Sequence, residues 1–411
     1  MTTRLYYHDS SLCEFDAEVG AVIEIPRPAI VLDRTAFYPT SGGQIFDTGW
    51  IVPESASASK IRVTEVADSE DGRVIHFLEA PVKNLQPGTR VHGQIDPARR
   101  RDHMQQHSGQ HVLSAAFVRL FNMPTVSFHM ADDYCSIDLE TPTLSKEQVE
   151  SAERLANEII LENRLVDVRF VTREQAATLG LRKIPPVERD ELRLIDIHDF
   201  DLTACGGTHV KQTGQIGTVL LRKVERVRQG WRVEFVAGQR AVATARRDFT
   251  TLTETAALFS SHLYDVPQQA RKALDEVKSL LKQYGQSQDE VTTAQAAALL
   301  AETPESGGRR VVVRSFAGRD MGFVKMIAQK LTHQSSLVIA LLATSSPQPT
   351  LVFAQSPGQP YDMGALMKEA MSKLGGRGGG SKDLAQGGVP NAGGIEAALD
   401  DALRALGTSS S

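Results

Sequence analysis

Two short segments of this sequence contain the residue types that bind transition metals. Residues 107–111 (HSGQH) and residues 205–209 (CGGTH) each place two possible ligands four positions apart. Cysteine thiolate and neutral imidazole are ligands that Zn²⁺ prefers, and four of them complete a tetrahedral site. The two segments together therefore predict one zinc ion per chain, bound by His107, His111, Cys205 and His209.

The first segment is expected to lie on a helix, because Asp96 followed by Pro97 is typical of an N-cap and a first helical position. On a helix, residues four apart lie one turn apart on the same face, so His107 and His111 can reach one ion. The two glycines of the second segment allow the sharp turn that folds Cys and His around one centre. His103, one turn before the first pair, is interpreted as a helix-face residue near the site rather than as a ligand.

Either motif alone is weak evidence for a metal, and the two together are more specific because the chain has only three cysteines. The HxxxH pattern lacks the glutamate of HExxH, which argues against a zinc peptidase. Four protein ligands are typical of structural zinc, whereas catalytic zinc keeps one position open. Three arrangements stay open: one ligand is replaced, the ion becomes five-coordinate, or the ion only shapes the pocket and orients a substrate.

The composition is that of a soluble globular protein, with 41% hydrophobic and 23% charged residues among 411. No apolar run approaches the roughly 18 residues of a membrane span, and the N-terminus lacks the order of a secretory signal. Three unevenly spaced cysteines provide no disulfide framework, so we expect a cytoplasmic protein without membrane association. The length allows two to four domains.

The formal net charge of −5 argues against non-specific coating of nucleic acid. A local basic face is still compatible with this charge, because backbone contacts need only a handful of Lys and Arg residues. Two basic clusters are candidates, although a solvated surface is an equally good interpretation of each. They are residues 99–101 (RRR) and the group Arg222, Lys223, Arg226, Arg228 and Arg232.

The sequence predicts an α+β multidomain protein with four parts. Residues 1–92 contain short β-branched runs separated by turn residues, which is typical of a small β-barrel. Residues 93–245 mix strands with two helices, the second capped by Ser145, and form the predicted zinc-containing α+β core. Residues 246–290 form a predicted helical linker, and residues 291–411 a C-terminal α/β domain with three buried-strand runs.

An apolar stripe follows the predicted linker helix, which is expected to end at Gly285. Its residues recur at spacings of 3, 4 and 3, which indicates one face of a helix packed against a partner. That partner is either the preceding helix or another protomer, so a homo-oligomer through this linker or through the C-terminal domain is one expectation. The stripe consists of Leu274, Val277, Leu281 and Tyr284.

Three motifs in this order, Ser41-Gly42-Gly43-Gln44, HSGQH and CGGTH, resemble those of the editing domain of alanyl-tRNA synthetase and its free-standing relatives, the AlaX proteins. The glycine-rich residues 375–388 predict by themselves a flexible loop or, more weakly, a phosphate cradle without the P-loop order. They also resemble the signature of the synthetase's C-terminal domain, which DHH-type phosphoesterases share. Because the chain begins at the predicted barrel, the resemblance implies a long, type II AlaX protein that acts in trans and lacks the aminoacylation domain.

The resemblance implies hydrolysis of mischarged tRNA(Ala), with tRNA(Ala) carrying the wrong amino acid as the partner. A pocket for alanine excludes glycine poorly, since one methyl group is worth roughly 1–3 kcal/mol, and serine adds only a hydroxyl. Catalytic roles fall on Gln44, Gln110 and Thr208, the groups that could contact a seryl side chain. Gln110 stands where the synthetase commonly has Thr, so the choice between serine and glycine stays open. The implied substrate-binding residues are Ser41, Gly42, Gly43, Gln44, Ser127 and His129.

A second hypothesis is a tRNA-binding or synthetase-associated module whose zinc is purely structural. The number of protein ligands and the large C-terminal domain favour it. It predicts retention of tRNA without turnover, and unfolding of the domain when the metal is removed. A phosphoesterase is disfavoured, because the Asp-His-His triplet of the DHH enzymes does not occur in the sequence.

Overall fold

The computed structural model describes residues 1–54, 59–81, 85–182, 191–345 and 348–408. The chain divides into two compact units, Met1–Glu254 and Thr255–Ser411. Pro185 and Pro186, a pair that predicts a turn, and the last three residues of the chain lie outside the described residues. Both units mix helices with strands, which confirms the predicted α+β multidomain class.

A closed six-stranded barrel forms the N-terminal part of the first unit and confirms the predicted barrel. The strands of this part are β1 (Thr3–Arg4), β2 (Glu14–Ile23), β3 (Ala29–Leu32), β4 (Arg34–Thr35), β5 (Gly49–Pro53), β6 (Ile61–Asp68), β7 (Val74–Leu78) and β8 (Arg90–Ile95). The barrel order is β2, β3, β7, β6, β5 and β8, and the short β1 pairs in parallel with β4. Alternate side chains of β2, beginning with Phe15 and Ala17, point into the core, because successive residues of a strand face opposite sides.

The rest of the first unit is built around one long buried helix. Its elements are α1 (Pro97–Phe121), β9 (Thr125–Met130), β10 (Cys135–Leu139), α2 (Lys146–Leu161), β11 (Val166–Thr172), α3 (Arg173–Thr178), β12 (Glu191–Ile197), β13 (Asp201–Ala204), β14 (Val219–Val227), β15 (Gly230–Ala237) and α4 (Gly238–Leu258). The order β14-β15-β10-β9 forms one antiparallel sheet, and β11-β12-β13 forms another. Helix α1 approaches the first sheet so closely that a Cβ on Gly109 would lie 3.0 Å from the Cβ of Ala237.

Two helices of this unit begin where their capping residues predict. The Asp96 side chain accepts hydrogen bonds from the backbone N–H groups of Ala98 and Arg99 at the start of α1. Ser145 caps α2 and forms a capping box with Gln148. These side chains replace the hydrogen bonds that the first turn of a helix cannot make internally.

The second unit is a mixed five-stranded sheet covered by helices on both faces. Its elements are α5 (Val266–Glu302), β16 (Arg310–Phe316), α6 (Met321–Gln334), β17 (Val338–Thr344), β18 (Thr350–Gln355), α7 (Met363–Leu374), β19 (Arg377–Gly380), β20 (Leu384–Gly388) and α8 (Ile395–Thr408). The strand order is β16-β17-β18-β20-β19, and only β16 and β17 are parallel neighbours. Helix α6 and the end of α5 cover one face, while α7 and α8 cover the other.

The glycine-rich segment is not the predicted flexible loop, because it contains the two paired strands β19 and β20. The glycines permit close packing of these strands on α7. A Cβ on Gly387 would lie 2.4 Å from the sulfur of Met371, and a Cβ on Gly378 would lie 2.5 Å from the Cα of Gly387. The glycines therefore allow close contact between the backbone of these strands and helix α7. The composition alone did not reveal this role.

The predicted helix end at Gly285 is wrong, because α5 continues without a break to Glu302. One glycine costs a helix only about 1 kcal/mol, and the alanine-rich sequence beyond it favours helix. The apolar stripe is largely exposed, from 52% for Val277 to 65% for Leu281. Homo-oligomer formation through this stripe stays a prediction. Among the described residues, no helix is both long and apolar enough to cross a membrane.

A buried ion pair connects the barrel to α1. Arg100 and Asp47 are 1% and 0% exposed, and the guanidinium donates to both carboxylate oxygens. Arg100 also donates to the carbonyl oxygens of Ser10 and Ala36, at 2.7 and 2.5 Å, and the carboxylate accepts from the Tyr38 N–H. The middle arginine of the predicted basic cluster 99–101 is therefore a structural residue and cannot belong to a surface that contacts nucleic acid.

Replacing Asp47 with alanine is expected to lower the free energy of unfolding by about 3–5 kcal/mol, because it leaves a buried guanidinium without its anion. The measurement is urea denaturation of the full chain. Asp71→Ala is the control, since Asp71 pairs with Arg73 on the exposed surface and its loss should change stability little. Equal destabilisation by the two substitutions would contradict the role assigned to the buried pair.

Acidification is expected to destabilise the barrel through His76. This ring is fully buried, with Nε2 at 2.8 Å from the Thr35 hydroxyl, and burial lowers its pKa to about 4. The unfolded chain, with a pKa of about 6.5, binds more protons between these values, so the free energy of unfolding falls as the pH decreases through that window. His76 alone should account for about 2 kcal/mol between pH 8 and pH 5. His76→Gln should flatten the pH dependence by this amount in urea denaturation, and an unchanged slope would contradict the assignment.

Candidate metal centre

The four side chains predicted to bind a metal converge in the first unit. The ligand atoms of His107, His111, Cys205 and His209 all lie within 4.8 Å of one another. The three histidines are only 3–4% exposed. Helix α1 supplies two imidazoles from one face, and the turn that follows β13 supplies the thiol and the third imidazole. Such a donor set fits a zinc ion in number, type and spacing.

Each imidazole directs Nδ1 toward an oxygen atom outside the cluster. His107 Nδ1 lies 2.7 Å from the Gln44 amide oxygen, and His209 Nδ1 lies 3.2 Å from the Ser108 hydroxyl. His111 Nδ1 lies 3.7 Å from an oxygen of Asp201, which is longer than a hydrogen bond. Oxygens at Nδ1 favour the tautomer that leaves Nε2 free, as is common for metal-binding histidines.

The Cys205 thiol is poised to ionise. Burial raises its pKa, but the nearby imidazoles outweigh burial and hold the pKa well below its ordinary value. The Nε2 atoms of His107 and His209 lie 3.3 and 3.4 Å from the sulfur, and the Gly207 N–H donates to it. Burial also lowers the pKa of His209 well below its ordinary value. Burial also lowers the pKa of His111, but the Cys205 sulfur and Asp201 outweigh burial and raise it above its ordinary value. Metal binding requires a thiolate and neutral imidazoles, so His111 would have to release its proton when a metal binds.

The CGGTH turn depends on the glycine at position 207 and on the buried Arg193. A Cβ on Gly207 would lie 2.1 Å from a ring carbon of His107, so only glycine fits there. The Arg193 guanidinium donates to the carbonyl oxygens of Cys205 and Gly207, at 2.7 and 3.0 Å, and to that of Tyr7 at 2.8 Å. Arg193 therefore ties the turn to the N-terminal segment of the chain.

The SGGQ segment forms a tight turn that inserts Gln44 into the cluster. Ser41 and Gln44 exchange two backbone hydrogen bonds, and the glycines between them have φ values of 57° and 86°, as type I′ turns require. Gln44 is completely buried. Its amide oxygen accepts from His107 Nδ1–H and from the Thr208 N–H, and its Nε2 donates to the Thr208 hydroxyl. Gln44 thus contacts both Thr208, another residue predicted to be catalytic, and His107, one of the four predicted ligands.

Gln110, the third residue predicted to be catalytic, is buried on α1 and donates to the Ser114 hydroxyl at 2.8 Å. Its predicted role stays a prediction. His103 is completely buried, and its Nδ1 lies 3.8 Å from an oxygen of Asp47. Burial lowers the pKa of His103 to about 2. The ring is outside the four-residue cluster, in agreement with its interpretation as a neighbour of the site.

Strand β9 places Phe128 against the cluster, between the two residues predicted to bind substrate. The Phe128 ring lies 5.3 Å from that of His107, centroid to centroid. Ser127 donates to Asp138 at 2.7 Å, and His129 is exposed. Neighbouring residues of a strand point to opposite faces, so Phe128 lies on one face of β9 and Ser127 and His129 lie on the other. The alternation of this strand was the signal that could have identified Phe128.

Sequence reasoning also missed the polar residues that surround the ligands. Asp201 and Ser108 lie beside imidazoles, and Arg193 is a charged residue inside the apolar run of β12. Arg193 stands between the buried Leu192 and Leu194, and a charge flanked by buried apolar residues is a signal of a buried polar contact. Asp201 has no comparable signal, since only the folded chain brings it to His111.

Three family models match separate parts of the chain. The model described as tRNA synthetases class II (A) matches residues 4–99, and the threonyl and alanyl tRNA synthetase second additional domain matches residues 192–233. The DHHA1 domain matches residues 308–408. These matches cover the barrel, the turn that bears Cys205 and the sheet-containing part of the second unit.

Full-length relatives give the same assignment. The chain is 33% identical over 398 residues to alanine–tRNA ligase of Pyrococcus furiosus. This match covers 94% of the chain but only 42% of the ligase, so the chain spans less than half of that relative. A match to the solved structure of the C-Ala domain of Aquifex aeolicus alanyl-tRNA synthetase covers 26% of this chain and 94% of that domain, at 19% identity. Its TM-score of 0.23 is too low to relate the two folds. The chain is 31% identical over 392 residues to the alanyl-tRNA editing protein AlaX-L of Pyrococcus horikoshii, with 95% of both chains covered. By this match the chain belongs to the AlaX-L family of alanyl-tRNA editing proteins, which is related to the editing and C-terminal parts of alanyl-tRNA synthetase.

Proposed function

We propose that this protein is a zinc-dependent deacylase that hydrolyses mischarged tRNA(Ala), carrying serine or glycine, in trans. The similarity to AlaX-L, an alanyl-tRNA editing protein of similar length with 95% of both chains covered, supports editing of alanyl-tRNA. The observation that carries the proposal is the contact of Gln44 with both His107 and Thr208. It joins the three motifs of the editing domain into one buried site, next to a cluster able to hold a metal.

The proposed chemistry divides the work between the ion and the chain. Zinc, when bound by the four residues, would supply a Lewis acid that polarises the ester carbonyl or orients a water molecule. An aminoacyl ester is already activated, so the main task of the protein is to hold the substrate in the reactive orientation. Gln44 is a positioning residue in this scheme, because its amide oxygen is engaged by His107 and by the backbone of Thr208. The Thr208 hydroxyl accepts from Gln44 and keeps its own proton for a substrate acceptor.

A structural role of the metal is the second candidate, favoured by the count of four protein ligands. In that case removal of the metal by a chelator should unfold the first unit, seen as loss of its far-ultraviolet circular dichroism. Under the deacylase proposal the chelated protein keeps its secondary structure and loses turnover. The two proposals therefore give opposite results in one experiment.

Cys205→Ala is expected to weaken zinc binding and to reduce release of serine from Ser-tRNA(Ala), because three imidazoles can still bind zinc but lack the anionic ligand. Metal content measured by mass spectrometry should fall below the value of about one zinc per chain expected for the wild type. Cys13→Ala, a half-buried cysteine of the barrel region, is the matched control and should keep both properties. Wild-type metal content and activity in Cys205→Ala would refute the assignment of the zinc site.

Thr208→Val is expected to reduce hydrolysis of Ser-tRNA(Ala) more than that of Gly-tRNA(Ala). Valine preserves the shape of threonine but removes the hydroxyl proposed to contact the seryl side chain. A lost hydrogen bond of this kind costs about 0.5–1.5 kcal/mol, so kcat/KM for serine should fall roughly 2- to 12-fold relative to glycine. Equal losses on both substrates would show that Thr208 acts only through Gln44 and does not recognise serine.

A further inference from the structure

Three aromatic side chains lie together beside the CGGTH turn. The rings of His8 and Phe170 are 5.0 Å apart between centroids, and both residues are exposed, Phe170 by 37%. Tyr7 is half-buried and reaches the turn itself, since a Cβ on Gly206 would lie 3.6 Å from the Tyr7 hydroxyl oxygen. We call Tyr7, His8 and Phe170 the aromatic platform. It adjoins the residue that follows the ligand Cys205.

Arg193 holds this platform at a defined distance from the metal centre. One guanidinium donates to the carbonyl oxygens of Tyr7, Cys205 and Gly207. Its central carbon lies 5.6 Å from the centroid of the Tyr7 ring. Arg193 is also the direct cross-strand partner of Phe170 between β12 and β11. The same buried cation therefore contacts the turn and Tyr7 and is paired in register with Phe170.

Single exposed aromatic residues are common on protein surfaces and need no explanation. This group differs because His8 and Phe170 contact each other, because Tyr7 lies against the Arg193 guanidinium, and because Tyr7 borders the CGGTH turn. In the proposed function, the ester at the metal centre is attached to the terminal ribose of the tRNA. The base on that ribose must then lie within a few ångströms of the CGGTH turn. Unpaired bases bind proteins chiefly by stacking on aromatic and guanidinium groups.

We propose that the aromatic platform binds the unpaired 3′-terminal adenine of the aminoacyl-tRNA by stacking, while the ester of the same nucleotide lies at the metal centre. This inference rests on the proposed function for the nature of the ligand. The exposed faces of Phe170 and His8 receive the base, and Arg193 is a positioning residue that keeps the platform in register with Cys205. No other part of the tRNA is required for this contact, so it is independent of how tRNA(Ala) is selected.

The first experiment measures hydrolysis of Ser-tRNA(Ala). Phe170→Ala should raise KM about 5- to 150-fold with little change in kcat, the range that corresponds to loss of one stacked base. Phe170→Tyr should retain the wild-type KM, whereas Phe170→Leu, which keeps apolar contact without a π face, should behave like alanine. The control is Phe249→Ala on α4, an exposed phenylalanine 52% accessible, which should have the wild-type KM. Full activity of both Phe170→Ala and Phe170→Leu would overturn the proposal.

The second experiment measures equilibrium binding and does not depend on hydrolysis. Uncharged tRNA(Ala) with its 3′-terminal adenosine is compared with the same tRNA lacking only that nucleotide. Wild type should bind the intact tRNA more tightly, and Phe170→Ala should bind the two forms equally and as weakly as wild type binds the shortened one. Equal affinity of the wild type for the intact and the shortened tRNA would overturn the proposal. Discrimination of the two forms by a wild type that hydrolyses neither Ser-tRNA(Ala) nor Gly-tRNA(Ala) would support the platform and refute the deacylase function.

Discussion

The convergence of the Cys205 sulfur and three imidazoles is the constraint around which the first unit is arranged. A charged sulfur removed from water is costly unless nearby groups replace the lost solvent. Here two ring nitrogens lie at 3.3 and 3.4 Å, and the Gly207 N–H adds a third contact. A divalent cation meets the same demand better than a proton, because it attracts all four donors at once. The fold must therefore bring together, at one buried position, two segments whose nearest ligands, His111 and Cys205, are 94 positions apart in the sequence.

Buried cations provide much of that precision. Arg100 joins α1 to the barrel through Asp47, and Arg193 joins the CGGTH turn to the N-terminal segment through Tyr7. Each guanidinium donates to several acceptors in a fixed geometry, so it resists small displacements of the elements that it connects. Such pairs contribute more to the uniqueness of the arrangement than to net stability, since desolvation offsets most of their attraction. Arg100 lies two turns before His107 on α1, and Arg193 contacts the backbone of the CGGTH turn, so each holds one of the two segments that supply the predicted ligands.

The N-terminal part of the first unit contacts the cluster through Gln44 and through the Ser10 hydroxyl, which accepts from the His209 N–H. Gln44 enters from a type I′ turn and is buried against both His107 and Thr208, so that the position of the barrel determines the orientation of an imidazole. Phe128, on β9, also packs near that ring, with 5.3 Å between the two centroids. The site is thus an interface between the barrel and the α+β core rather than a property of either alone. An ester bound there would meet groups from both parts, which restricts the substrates that fit.

The sequence by itself determined the residues able to bind a metal and where α1 and α2 begin. Those features depend on ligand type, a separation of four, and the capping side chains Asp96 and Ser145, all of which act over a few residues. Only the tertiary structure decided that Arg100 is buried rather than a surface cation and that Phe128 faces the cluster. It also decided that the glycines of β19 and β20 serve packing against α7. These outcomes depend on contacts between residues far apart in the chain, whose energies no local pattern records.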